Sequence, residues 1–87
     1  MSRQLAYRLS RHADQRRAQM GLTMADVLNV LNNPEIDRPA RDEGVRMASG
    51  TTRRADRLRV SAVYDPRTLT VITVLPWTND QYQREDT

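Results

Sequence analysis

The sequence predicts an α+β fold, with two N-terminal helices packed on a small antiparallel β-sheet. Three observations predict it. Two helical segments, each bounded by recognisable caps, fill residues 11–33. Two strand-like runs follow at 58–75, the first by alternation and the second by its β-branched content, joined by Asp65-Pro66-Arg67-Thr68. A chain of 87 residues with no internal repeat is one small domain. Helices ahead of strands segregate to one face of the sheet. The domain spans residues 1–77, and residues 78–87 form a polar tail.

The first element is ambiguous. In residues 3–9, Leu5, Tyr7 and Leu9 alternate, which suits either a short strand or an early helical turn. Ser10 is a good N-cap, because its hydroxyl accepts from an amide two or three residues on. A helix over Arg11–Met20 then ends at Gly21, which takes a left-handed conformation without penalty. Thr23 caps the second helix, with Asp26 at its third position. Met24, Val27, Leu28 and Leu31 give it an apolar stripe. Asn32-Asn33-Pro34 stops it. Residues 34–43 are polar and carry two prolines, so they read as a loop. Residues 45–48 suggest a short strand, and residues 49–56 a loop or ragged hairpin end.

In the next strand, Leu58, Val60, Ala62 and Tyr64 alternate with Arg57, Arg59, Ser61 and Val63. Pro66 presets a turn. Leu69–Leu75 is a strand by its β-branched content, and Pro76 closes it. Simple antiparallel counting pairs Tyr64 with Leu69, Ala62 with Val71, Val60 with Thr73 and Leu58 with Leu75. That face would lie on the helices. Arg59, Ser61, Val63, Thr70, Ile72 and Val74 would form the other. A bulge would move Thr73 to the opposite face.

Every one of the 14 basic residues is arginine. Residues 1–20 carry a net +4 and residues 53–59 a net +3, while residues 35–43 and 78–87 each carry −2. Two basic blocks brought together would make a surface suited to a phosphate backbone. Arginine offers a planar, permanently charged fork for phosphate. The chain has no cysteine, so it has neither a disulfide framework nor a thiolate metal site. With one histidine, a zinc site would depend on scattered carboxylates. Three glycines form no phosphate loop and no dinucleotide fingerprint. No metal or cofactor is expected. No apolar run approaches a membrane span or a signal peptide, so the expectation is a soluble cytoplasmic protein.

The chemistry centres on Ser10-Arg-His-Ala-Asp-Gln-Arg-Arg17. On a helix, His12 and Arg16 are i, i+4 neighbours, about 5–6 Å apart at Cβ. That places a proton-transfer group beside a fixed cation. Metal-free RNA cleavage needs a base for the 2′-hydroxyl, an acid for the leaving oxygen and cations on the phosphorane. His12, Arg16 and Arg59 could fill parts of that scheme. A lone histidine on a solvated helix face is the competing, plainer reading.

The run SRHADQRRAQMGLTMADVLNVLNNP resembles the opening of a small RelE-like domain family of largely unknown function. Its members begin Ser-x-His-Ala, carry arginine four residues later, and end on a strand similar to Val71-Ile72-Thr73-Val74. The resemblance covers roughly residues 8–76. Met20 departs from it, since members often have arginine there. The resemblance implies a RelE/ParE-toxin-like, metal-independent ribonuclease fold, with His12, Arg16 and Thr73 matching the family's polar signature. Arg59 joins the candidate catalytic set from its place in the sheet. Arg8, Arg17, Arg46, Arg53, Arg54 and Arg57 are the candidate RNA-binding residues. The expected partner is RNA. The alternative is a non-catalytic module whose mixed sheet face, with Val63, Ile72 and Val74, binds an antitoxin or host protein, or nucleic acid without turnover.

Overall fold

A computed structural model of the chain describes residues 6–77. Its elements are β1 (Arg8–Leu9), α1 (Arg11–Gln19), α2 (Met24–Asn32), β2 (Ile36–Pro39), β3 (Arg46–Thr51), β4 (Arg59–Asp65) and β5 (Thr70–Pro76). The fold is α+β, with both helices ahead of most of the strands. The predicted polar tail, residues 78–87, lies outside the described residues, as does Leu5.

Both helices begin where their caps predict. Ser10 Oγ accepts from the Ala13 amide. Thr23 and Asp26 form a reciprocal capping box, each side chain accepting from the other's backbone amide. Gly21 stands at φ +71°, the left-handed geometry that ends α1 and turns the chain into α2. The α2 stripe is shifted from the predicted one. Val27, Val30 and Leu31 are buried, while Met24 in the first turn is 39% exposed.

The sheet is larger than predicted, and it is mixed. Five strands run in the order β1-β5-β4-β3-β2. Residues 36–39, expected as loop, form the antiparallel edge strand β2 against β3. Pro39 is tolerated there because an edge strand needs fewer amide donors. β1 resolves the early ambiguity as a strand, parallel to β5. β3 continues through Thr51, where a loop was expected.

The predicted β4–β5 register is corrected. Tyr64 pairs with Val71 rather than Leu69, and Asp65 with Thr70. Leu69 instead takes φ +55° and completes a four-residue turn. A bulge follows, so that beyond Val63–Thr73 the pairs are Ala62–Val74 and Ser61–Leu75. Val71 and Val74 therefore both face the core, and neither is solvent-exposed. Thr73 and Leu75 move to the opposite face.

The core lies between the helices and this sheet. Ala13, Leu22, Val27, Val30 and Leu31 meet Ala48, Val60, Ala62, Tyr64, Val71 and Val74. α2 packs on β3 and β4, and α1 on β5.

Candidate functional site

α1 buries only Ala13 among its nine residues. Polar side chains fix it against the sheet instead. β1 covers β5 only at Thr70 and Val71, so the carbonyls beyond would be left open on that edge. The Ser10 hydroxyl donates to the Ile72 carbonyl at 2.9 Å while accepting from Ala13. Arg16 Nε donates to the Val74 carbonyl at a long 3.4 Å, and its Nη1 to Gln19 Oε1 at 3.2 Å. These two bonds use part of a five-donor guanidinium and leave donors for a further acceptor. His12 lies between Ser10 and Arg16 in sequence and one turn from Arg16. It is exposed, and its imidazole makes no hydrogen bond among the described residues.

The bulge gives Thr73 its character. The Ser10 and Arg16 bonds reach the carbonyls on either side of it, Ile72 and Val74. Its Oγ1 is buried and has no hydrogen-bond partner. A buried hydroxyl left unpaired costs about 1–3 kcal/mol. Of the four expected catalytic residues, His12 and Arg16 share α1 at the β5 edge, while the Thr73 side chain lies on the sheet face away from the helices and only the backbone on either side of it meets Ser10 and Arg16.

Arg59 does not join them. It lies four residues from Val63 along β4, roughly 13 Å from the Val63–Thr73 pair at strand rise. Its guanidinium stacks on the Trp77 ring, 4.0 Å from the centroid. Such cation–π contact occupies the face of the cation. The expectation that Arg59 completes the same cluster is corrected on that geometry.

The expected RNA-binding arginines divide into two groups. Arg17 is committed to Asp14 at 2.9 Å and to the Leu22 carbonyl at 2.7 Å, tying α1 to the following turn. Arg46 is bound by Asp37 at 2.9 Å. Asp37 also accepts from the Tyr64 hydroxyl at 2.7 Å, and Tyr7 packs edge-on against Tyr64. Burial, then the bond to Asp37, pushes the Tyr64 phenol up to about 12. Asp37 sits in the segment read as loop, and nothing in its local sequence signals that it joins β2, β3 and β4.

Arg8, Arg53 and Arg57 are exposed. Arg53, Arg54 and Arg57 belong to the loop from β3 to β4. Arg54 anchors it, donating to the Gly21 carbonyl at 2.7 Å and to Asp56 at 3.2 Å. Between this loop and the end of α2 opens a cleft of about 510 Å³, lined by Asn29, Asn33, Thr52, Arg53, Arg54 and Arg57 among others. Thr52 is 2% exposed, and its hydroxyl has no hydrogen-bond partner. Asn29, Asn33 and Thr52 were missed at the level of sequence. The arginine run was the visible signal, but its neighbours across the cleft are some twenty residues distant in the chain.

The mixed sheet face differs from expectation through Val74, which is buried. Val63 is half-buried and Ile72 is 39% exposed. No three of His, Asp and Glu gather as a metal site among the described residues. Among them, too, no helix is long and apolar enough to cross a membrane.

A family model described as a domain of unknown function (DUF4258) matches residues 9–76. No curated protein and no solved structure matches the chain.

Proposed function

We propose the following for this chain, which belongs to the DUF4258 family: it is a RelE-like, toxin-type protein that binds RNA and cleaves it without a metal ion. The supporting observation is the α1–β5 edge, where Ser10 and Arg16 reach the carbonyls flanking Thr73 and His12 lies between them in the helix. His12 is the proton-transfer group. It takes the proton from a ribose 2′-hydroxyl as the 2′-oxygen bonds to phosphorus. The bond from phosphorus to the 5′-oxygen breaks, and that oxygen leaves with a proton from solvent, giving a cyclic phosphate end. The unused Arg16 donors hold the charge that builds on the phosphorane. Thr73, expected as a further donor, has its hydroxyl on the sheet face away from the helices and takes no part in this step. Arg8 and the β3–β4 arginines add backbone attraction rather than chemistry.

The test is cleavage of a single-stranded RNA beside its 2′-deoxy counterpart. The RNA is cut and the deoxy strand is not. His12→Ala lowers turnover by about 10²–10⁴, the usual contribution of a positioned acid or base. Arg16→Gln lowers it while the circular dichroism spectrum stays unchanged. Equal cleavage by wild type and both variants sinks the reading.

Ile72 favours a second reading, because an exposed isoleucine beside this same edge suits a protein contact. A partner of antitoxin type seated there would cover His12. Ile72→Asp would then release the protein from inhibition without altering its own turnover.

A further inference from the structure

We propose that the cleft between the end of α2 and the β3–β4 loop is a phosphate-binding site, taking the phosphate group of a nucleotide. It is separate from the His12 edge. Arg54 meets Gly21, nine residues beyond His12 and past the far end of α1, so the two sites lie roughly 13 Å apart along the helix axis alone.

The cleft's volume, about 510 Å³, falls in the range of small-ligand pockets. Its chemistry is polar. Arg53 and Arg57 are exposed, and neither makes a side-chain hydrogen bond or ion pair among the described residues. The nearby acids are already engaged. Asp56 accepts from Arg54 and from the Leu58 amide. Glu35 accepts from the Thr51 hydroxyl at 2.7 Å. Glu35 keeps its charge beside a neutral hydroxyl, but it pairs with neither Arg53 nor Arg57, so an arriving anion meets two guanidinium groups without an ion partner among the described residues.

Beneath them lies Thr52, nine-tenths and more buried, with a hydroxyl that lacks a partner. A phosphate oxygen would accept from it. The Thr52 amide is meanwhile fixed to the Leu58 carbonyl at 2.8 Å, which closes the loop at its base. Arg57 takes φ +50°, a left-handed conformation that arginine rarely adopts. The neighbouring Arg54 carbonyl holds it there by accepting from the Arg57 amide.

One feature opposes an anion. The C-terminal end of α2 carries the negative end of its dipole into the same cleft. The Asn33 amide group turns toward it, donating to Asn29 O and Asn29 Oδ1. Those last carbonyl groups are thus partly satisfied within the helix. The asparagines also give the cleft amide groups able to contact a base edge.

The phosphate could belong to an RNA strand or to a free nucleotide. Titrations of the full chain with inorganic phosphate, adenosine monophosphate and a single-stranded oligoribonucleotide, followed by amide NMR, separate these sources. The expected result is saturable shifts at Thr52, Arg53 and Arg57 with all three. The oligonucleotide binds tightest if RNA is the source, and the mononucleotide matches it if a free nucleotide is. Arg57→Asn keeps a residue that tolerates left-handed backbone, and it weakens binding about tenfold. Thr52→Val weakens it severalfold, and Thr52→Ser restores it. These readouts need no cleavage, so they stand or fall apart from the reaction at His12. Shifts confined to other residues, or affinities unmoved by both Arg57→Asn and Thr52→Val, overturn the proposal.

Discussion

Thr73 and Tyr64 show two opposite solutions to a buried hydroxyl. Tyr64 has a charged acceptor in Asp37, and hydrogen bonds to charged groups are worth about 1.5–3 kcal/mol. Tyr64→Phe should lower unfolding free energy by about 2 kcal/mol in urea titration. It should also flatten the alkaline limb of the stability profile. The folded-state phenol lies at about 12, above its ordinary value of 10. Its contribution is therefore complete below pH 10 and is lost as pH rises from about 10 to about 12. Thr73 has no partner, and an apolar replacement of the same shape removes that cost. Thr73→Val should raise stability by up to about 1 kcal/mol in urea titration and leave RNA cleavage unchanged. His12 and Arg16 were legible in the sequence, because i, i+4 spacing on a capped helix is local information. The face that Thr73 takes was not, since it depends on a one-residue bulge in a strand pairing.

At the scale of elements, α1 is a helix held by its cap and its polar bonds more than by an apolar face. Ser10→Ala removes both the cap and the bond to Ile72, and should cost about 1–2 kcal/mol. Ser10→Asp restores the cap but cannot donate to the Ile72 carbonyl, so it should recover only part of that loss. Thermal unfolding of the three proteins separates the two bonds. In α2, Thr23→Ala breaks the capping box and should cost about 1 kcal/mol. Both helices were readable because caps and stop signals act over three or four residues. β2 was not readable. Its polar, proline-bearing sequence has no strand period, and only β3 beside it makes it a strand.

At the scale of the molecule, charge is the property most exposed to measurement. RNA affinity should fall steeply between 50 mM and 200 mM salt if several arginines meet phosphates at once. Removing Arg53 and Arg57 together should make that slope shallower by about two. A slope unchanged by the double variant would place the phosphates elsewhere. The α+β class, both helices with their ends, the two central strands and the His12–Arg16 row are all written in local residue order. Each of these follows from hydrogen bonding, spacing or periodicity among near neighbours. Tertiary structure alone decided that the sheet is mixed and five-stranded and that Arg59 turns to Trp77. It likewise decided that Val74 is core while Thr73 is not, and that Thr52 lies beneath the arginine loop. The physical reason is common to all of these. Strand register and edge pairing are settled by partners far away in the chain, and one residue of slip exchanges the two faces of a sheet.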